Sequence, residues 1–214
     1  MLVENSKIFI VHYAKMEDRK RYLSDFFRKN DIEVTWLLNG QREDLTEEIV
    51  SEFYKLIPEK YGRQLSLGEI GCAIGHYQGI KEVVDNNLDY AIFFEDDVVF
   101  NQSFKQDFNN KFKTFEEEFD LISLGDCCNI GVYGQPIGNG FYRIIPSRGR
   151  CGYAHILSNK ACNILMNSLP FQYPIDWHIG HDVNNREYKF KTYWVDPPLA
   201  FEGSKEGNYG STIR

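Results

Sequence analysis

The chain has 214 residues, enough for one well-filled domain, and its 43% hydrophobic and 26% charged residues are ordinary values for a soluble globular protein. Its net charge of −7 argues against a nucleic-acid partner, because binding a phosphate backbone needs a basic face. The charge leaves room for one phosphorylated small molecule held through a metal ion.

The sequence shows no sign of export or membrane insertion. A basic segment followed by a long apolar run is missing at the N-terminus, and no apolar stretch approaches the roughly 20 residues of a membrane helix. The five cysteines are odd in number and show neither C-x-x-C nor zinc-finger spacing. We therefore expect a reducing, cytoplasmic location without a transmembrane segment, with peripheral membrane contact left open.

Strand and helix patterns alternate through the first part of the chain. The predicted order is a strand at 7–13, an amphipathic helix at 15–30, a strand at 33–39 and a helix at 44–57. Thr46 is the predicted N-cap of the second helix, and Pro58 should end it. Such alternation predicts an α/β fold with a mixed, mainly parallel sheet and helices on both faces.

The next helix, at 66–87, begins with a capping box formed by Ser66 and Glu69. Gly71, Gly75 and Gly79 then recur on one face of it. Each glycine costs about 1 kcal/mol against alanine inside a helix. The pattern indicates either close approach by a ligand or backbone, or tight packing against a neighbouring element.

The strand that follows, "YAIFFEDDVVF" at 90–100, carries Glu95, Asp96 and Asp97 between apolar residues. Burying an unpaired carboxylate costs several kcal/mol, whereas ligands of open α/β sheets gather at the carboxyl ends of strands. Alternate residues of an extended chain point the same way, so Glu95 and Asp97 can share one Mn²⁺ or Mg²⁺ ion. The alternative is a solvated turn, or a cap for the next helix.

The second half of the chain predicts further strands and helices without a repeat or a linker. We therefore expect a single domain over 1–214. In chain order we predict a solvated helical region at 101–118, a strand at 119–126, loops or an edge hairpin at 129–149, a strand at 152–158, a helix at 159–169, a loop entering a helix at 173–185, a last strand at 190–201 and a flexible tail.

Several blocks of the sequence resemble glycosyltransferase family 25, the family of bacterial lipopolysaccharide galactosyltransferases and collagen galactosyltransferases. The resemblance is strongest over 65–100, where "QLSLGEIGCAIGHYQGIKEVV" leads to "AIFFEDDVVF". The opening "IFIVHYAKMEDRKRYL", "FDLISLGD", "CGYAHILSNKACNIL" and "YPIDW" are similar to other family blocks. Two positions depart from the usual pattern: Gly75 stands where serine is usual, and His12 where asparagine is common. The matching positions of the helix block are Leu65, Ser66, Gly68, Glu69, Gly71, Cys72 and His76.

The resemblance implies a GT-A-like, Rossmann-like fold and transfer of a hexose from a UDP-sugar, galactose before glucose, to a glycan or glycoconjugate acceptor with inversion. It implies that Asp97 is the best metal ligand, that Glu95 helps the metal or holds the ribose, and that Asp96 contacts the donor sugar. The donor half would be 1–100 and the acceptor half 101–214. The further donor-site residues that it implies are His12, Tyr13, Arg19, Gly68, Glu69 and His76.

Inversion also needs a general base on the acceptor hydroxyl. Asp176 is the candidate, beside Trp177, which could stack on a sugar, and Asp182 is the reserve. Asp176 could instead be only a helix N-cap. Arg19 could instead form an ordinary helix salt bridge, and Glu69 could be purely a capping-box partner.

Two other classes of function compete with sugar transfer. A glycoside hydrolase would use two carboxylates without metal or nucleotide. A non-catalytic sugar- or calcium-binding module would bind without turnover. The tail after Phe201 could order over the donor as a lid or remain disordered.

Overall fold

The computed structural model of the protein describes residues 1–54, 64–125, 134–144, 152–171, 173–182 and 190–204. Its centre is one eight-stranded sheet with the strand order β2-β1-β3-β8-β5-β9-β7-β6, and β4 and β10 form a separate two-stranded ribbon. The strands are β1 Ile8–Val11, β2 Thr35–Leu37, β3 Tyr90–Glu95, β4 Val98–Val99, β5 Leu121–Ser123, β6 Gln135–Gly138, β7 Phe141–Ile144, β8 Ala154–Ser158, β9 Thr192–Val195 and β10 Phe201–Glu202.

The sheet is mixed, as predicted. Strand β8 runs antiparallel to both β3 and β5, and β7 runs antiparallel to both β9 and β6. The other six strands share one direction, with direct parallel pairing of β1 to β2, β1 to β3, and β5 to β9. The edge hairpin predicted within 129–149 is present as β6 and β7, as far as the structure describes that region.

Helices cover both faces of the sheet, which confirms the predicted layering. Along β1, Ile8 and Ile10 pack on one face and Phe9 and Val11 on the other, as the period of two requires. Helices α1 and α4 cover the first face, and α2, α3 and α5 cover the second. The helices are α1 Glu17–Lys29, α2 Glu47–Phe53, α3 Leu67–Asp85, α4 Phe104–Phe112, α5 Asn159–Met166 and α6 Ile175–Trp177, the last running into a π-helical turn at His178–Asp182.

The predicted helix starts hold in detail. The Thr46 hydroxyl accepts a hydrogen bond from the Ile49 N–H at 3.3 Å. Ser66 and Glu69 form a complete capping box at the start of α3. Helix α2 ends at Phe53, four residues earlier than predicted, and Pro58 lies outside the described residues.

The prediction of a solvated helix at 101–118 is wrong in one respect. Helix α4 buries Phe104, Phe108 and Phe112 against the sheet. Their spacing of four residues places the three rings on one side of the helix, while the polar residues between them face outward. The segment is polar on average, and the prediction relied on that average rather than on the spacing of the phenylalanines.

The three glycines on one face of α3 serve close packing. A Cβ atom at Gly71 would collide with the carbonyl of Gly40, and one at Gly75 would lie 2.6 Å from the Val11 side chain. At Gly79 it would lie 2.6 Å from the Phe93 ring. The glycines therefore bring α3 against the sheet and against the loop after β2. Gly71 allows the close approach of a backbone, and Gly75 and Gly79 allow tight packing against side chains of the sheet, so the structure supports both alternatives. Among the described residues, no helix has the length and apolar character that crossing a membrane would require.

Candidate functional site

The three acids lie at the carboxyl end of β3, as the sequence predicts. Glu95 is the last residue of the strand, and Asp96 and Asp97 form the turn that leads to β4. We call residues 95–97 the acid turn. The parallel neighbour β1 ends at the same level, because Val11 pairs with Glu95. The residues that follow β1 therefore meet the acid turn at one edge of the sheet.

Asp96 is fully engaged by protein groups. One carboxylate oxygen lies 2.8 Å from His12 Nδ1 and accepts the Tyr13 backbone N–H at 2.9 Å. The other accepts from Arg19 Nη1 at 2.6 Å. The Asp96, His12 and Arg19 side chains are all at least nine-tenths buried. Arg19 thus pairs across the site with Asp96, and this contact fixes the position of the Asp96 carboxylate.

The charges of Glu95 and Asp97, unlike that of Asp96, are poorly compensated by neighbouring groups. Burial, reinforced by the charges of Asp176 and Asp96, raises the pKa of Glu95 to about 8. Burial and the Glu95 charge raise the pKa of Asp97 to about 7, although the Ser204 hydroxyl and Arg19 act in the other direction. Asp97 Oδ1 is buried and has no hydrogen-bond partner in the described part of the chain.

These two carboxylates fit a hard divalent cation. Mg²⁺ and Mn²⁺ take oxygen ligands, and a buried carboxylate oxygen without a partner is a site that a cation would satisfy. A cation would also offset the repulsion between the two acids. Asp97 and Glu95 are therefore the residues that could hold such an ion.

The first pocket lies beside the acid turn and brings together most of the predicted donor-site residues. Its wall also includes the loop after β2, from Asn39 to Arg42, and the start of α3 at Gly68, Gly71 and Cys72. Arg42 lies over the Tyr13 ring, 4.3 Å from its centroid. The predicted residues that line this pocket are His12, Tyr13, Arg19, Gly68, Glu95, Asp96 and Asp97.

The second pocket adjoins the first and contains Asp176. Its wall includes Glu69, Gly152, Asp176 and Trp177, and it shares Cys72, Glu95 and Glu202 with the first pocket. Asp176 is the second residue of α6, whose N-cap is Pro174, so it does not occupy the cap position. Its Oδ1 accepts the Trp177 N–H at 2.9 Å. The side chain of the reserve candidate Asp182 lies outside the description.

Of the two remaining predicted donor-site residues, Glu69 lines a pocket and His76 does not. Glu69 Oε2 accepts from the Ser66 N–H at 2.9 Å, so it is a capping-box partner, and it also lines the second pocket. His76 is buried behind Glu95, with Nε2 3.3 Å from Glu95 Oε1, and lines neither pocket. Burial lowers the pKa of His76 to about 4, against an opposing effect of the Asp176 charge. We therefore expect a neutral imidazole at His76.

Sequence reasoning missed the loop residues from Asn39 to Arg42 in the first pocket, and it also missed Glu202 and Ser204. The last two are held there by the ribbon, in which Phe201 pairs with Val99, and by the Gly203 N–H, which donates to the Asp97 carbonyl at 2.8 Å. The predicted flexible tail is thus ordered over 202–204, and residues 205–214 lie outside the described residues. A two-residue strand has too little pattern for sequence reasoning to detect.

Comparison with known families agrees with this geometry. The model of glycosyltransferase family 25, described as an LPS biosynthesis protein, matches residues 5–136. The chain belongs to glycosyltransferase family 25. This match extends over more than half of the chain and includes the whole of α3 and the acid turn.

Two curated relatives show how the family varies. Procollagen galactosyltransferase 1-A of Xenopus laevis is 29% identical over 225 residues, which cover 95% of this chain and 37% of the relative. Inactive glycosyltransferase 25 family member 3 of Homo sapiens is 30% identical over 131 residues, covering 56% of this chain and 21% of the relative. The matched segments therefore span only 37% and 21% of the length of these two relatives.

One solved structure supports the fold. The crystal structure of A197 from STIV has a TM-score of 0.51 at 15% sequence identity, covering 91% of this chain and 82% of that one. At this identity the likeness concerns the fold alone. It agrees with the mixed α/β sheet and its helices on both faces.

Proposed function

We propose that this chain transfers a hexosyl group, galactose before glucose, from a UDP-sugar to a hydroxyl of a glycan or glycoconjugate, with inversion at the transferred carbon. The supporting observation is that an acid-lined first pocket adjoins a second pocket that contains Asp176, in a chain of glycosyltransferase family 25. The two pockets meet at Glu95, so a donor and an acceptor bound in them would be neighbours. The division into a donor half at 1–100 and an acceptor half at 101–214 belongs to this proposal.

Asp97, with help from Glu95, would hold Mn²⁺ or Mg²⁺. When bound, the ion would neutralise charge on the diphosphate leaving group. The support for this assignment is the donor set itself, because both groups are oxygen ligands, and Asp97 Oδ1 lacks a partner in the described residues. The uncompensated acids would otherwise repel the diphosphate.

The remaining residues of the first pocket would bind and orient the donor. Arg19 is a fixed cation at the pocket wall, because Asp96 holds its guanidinium. Tyr13 and His12 lie beside it at the end of β1. Gly68 has no side chain, so the donor can approach the first turn of α3 closely.

Asp176 would accept the proton of the acceptor hydroxyl. It lies in the second pocket, which meets the first at Glu95, so an acceptor bound beside it would be next to the donor. Trp177 offers an aromatic surface beside it for the acceptor sugar. Removal of a general base costs about 10²–10⁴-fold in rate.

The test is a transfer screen with a panel of nucleotide sugars and sugar acceptors, with and without Mn²⁺, together with a thermal shift on adding UDP and Mn²⁺. We expect UDP-galactose to be used and UDP with Mn²⁺ to raise the melting temperature by mass action. Asp176→Asn should lose transfer but keep the shift. Asp25→Asn, an exposed acid paired with Arg28 on α1, is the matched control and should keep both.

The inactive human relative makes a binding function without turnover the second candidate. A thermal shift with UDP and Mn²⁺ but no transfer to any acceptor would favour that candidate. No shift with UDP, Mn²⁺ or both would contradict nucleotide-sugar binding altogether. Hydrolysis of a glycoside in the absence of metal and nucleotide would favour the hydrolase alternative.

A further inference from the structure

Glu95 also belongs to a second group of potential metal ligands that sugar transfer does not use. Cys72 Sγ lies 3.6 Å from Glu95 Oε1, and His76 Nε2 lies 3.3 Å from the same oxygen. The ligand atoms of the three residues all lie within 4.8 Å of one another, and no other such group occurs in the described ranges. We call Cys72, His76 and Glu95 the ligand trio.

Two of the separations within the ligand trio, 3.6 Å from Cys72 Sγ and 3.3 Å from His76 Nε2 to Glu95 Oε1, suit a tetrahedral cation. Bond lengths of about 2.3 Å to sulfur and 2.0–2.1 Å to nitrogen or oxygen, at tetrahedral angles, separate ligand atoms by roughly 3.3–3.6 Å. Cys72 and His76 are four residues apart and so lie on one side of α3, and β3 supplies Glu95 opposite them. A thiolate, an imidazole and a carboxylate are together a donor set for zinc-like ions rather than for magnesium.

Space and charge at the trio also favour a cation. A Cβ atom at Gly152 would lie 3.2 Å from Glu95 Oε1 and 3.8 Å from His76 Nε2, so the glycine leaves open the space beside both donor atoms.

The charges that act most strongly on Glu95, those of Asp176, Asp96 and Glu202, are all acidic. Cys72 and Glu95 also line the second pocket, which gives an ion a path from solvent and an open fourth position.

We propose that Cys72, His76 and Glu95 form a site for a borderline divalent cation such as Zn²⁺ or Co²⁺, distinct from the oxygen-only site proposed at Asp97 and Glu95. Three bonds would form, from Cys72 Sγ, His76 Nε2 and Glu95 Oε1. The S–H bond of Cys72 and the O–H bond of protonated Glu95 would break, and their protons would leave to solvent, with no change in oxidation state. The fourth position would hold water or a group of the ligand in the second pocket.

The two sites compete for Glu95, which gives the trio a consequence for the proposed function. A zinc-like ion would withdraw one of the two carboxylates that we assign to Mn²⁺ and would crowd the place where the two pockets meet. We therefore expect Zn²⁺ to weaken UDP–Mn²⁺ binding. The trio itself does not depend on the proposed transfer, so its test can succeed or fail separately.

The test is a titration of the reduced, tag-free chain with Co²⁺, followed by sulfur-to-cobalt charge-transfer absorption in the near ultraviolet. We expect a saturable band in the wild type that added Zn²⁺ removes. Cys72→Ala should lose the band, and Cys162→Ala should keep it, because Cys162 is a buried core cysteine of α5 outside the trio. Absence of a band, or a band that survives in Cys72→Ala, would overturn the proposal.

A second variant tests the location without removing any ligand. Gly152→Ala fills the space beside Glu95 Oε1 and His76 Nε2, so we expect Co²⁺ affinity to fall roughly 10-fold or more, as it does when groups around a metal site are disturbed. Circular dichroism would verify that all three alanine variants are folded. A Gly152→Ala titration that matches the wild type would contradict the assigned position, whatever the outcome of the UDP and Mn²⁺ experiments.

Discussion

The acid turn contains two kinds of carboxylate within three residues, and their difference separates structure from function. Asp96 is held by His12, Arg19 and a backbone N–H, and its charge is compensated inside the protein. Glu95 and Asp97 are partly exposed, and their pKa values are raised chiefly by loss of hydration and then by neighbouring acidic charges. An acid whose charge is compensated by protein groups stabilises the fold. An acid without such compensation is stabilised by binding a cation or a proton.

The largest effect is expected when the compensated acid, Asp96, is removed. Asp96→Ala leaves Arg19 and His12 buried without their partner, so we expect a loss of about 3–5 kcal/mol in the free energy of unfolding. Denaturant unfolding measures it. The matched surface change Asp25→Asn should stay within about 0.5 kcal/mol. A loss for Asp96→Ala no larger than that of the control would show that the cluster is not a structural anchor.

Asp97→Asn should change the free energy of unfolding of the metal-free protein in the opposite direction from Asp96→Ala. The neutral amide removes a buried uncompensated charge, so at pH 8 we expect the free energy of unfolding to rise by about 1 kcal/mol or more. The same variant should bind UDP in the presence of Mn²⁺ about 100-fold more weakly, because it loses the principal proposed ligand. Unfolding curves and calorimetry measure the two effects, and destabilisation at pH 8 would contradict the contrast with Asp96.

The pH dependence of stability sharpens the same contrast. Folded Glu95 and Asp97, with pKa values of about 8 and 7 against ordinary values of 4.5 and 3.8, bind more protons than the unfolded chain between those limits. Their contribution to the free energy of unfolding therefore falls as pH rises toward 8. The lowered pKa values of His76 and His155 have the reverse effect, but only up to about pH 6.5.

We therefore expect the metal-free protein to lose stability between pH 6.5 and 8, by at most about 1.4 kcal/mol per pH unit for each carboxyl. Asp97→Asn should reduce the dependence of stability on pH in the lower part of this pH range. Melting temperatures measured across the window, with and without Mn²⁺, provide the test. Stability that rises with pH over this window would contradict the assigned state of the two acids.

Ser204→Ala should give the smallest effect. The Ser204 hydroxyl lowers the pKa of Asp97, so its loss should raise that pKa further. The hydroxyl donates its hydrogen bond to Glu202 Oε1 at 2.9 Å, so its effect on Asp97 should be modest. We expect a small upward shift in the titration of the Asp97 carboxyl, observed by NMR in the metal-free protein, and no change in the titration of the exposed acid Asp25. An unshifted Asp97 would show that Ser204 does not reach it.

The sequence predicted well those features that neighbouring residues encode. The capping box at Ser66, the glycine face of α3 and the acids after a buried strand all follow from local spacing. The difference between Asp96 and its neighbours could not be predicted, because its partners lie just after β1 and in α1, about 80 residues away in the chain. Spacing shows that acids share a strand end but not which of them is neutralised.

Other misses have the same origin. The ligand trio joins Cys72 and His76 of α3 to Glu95 of β3, and no metal-binding spacing in the sequence indicates that combination. Glu202 and Ser204 reach the first pocket through a strand of two residues. The predicted solvation of 101–118 failed because the average polarity concealed a stripe of phenylalanines. Contacts between distant segments decide the chemistry of this site.

The pairing of β10 with β4 has a consequence for the order of folding. It joins Phe201 to Val99, across nearly half of the chain, and closing so long a loop is slow compared with forming local helices. During synthesis, α3 and the acid turn leave the ribosome long before Glu202 and Ser204. The pocket wall is therefore completed last, and a nascent chain holds its acids exposed to water until then.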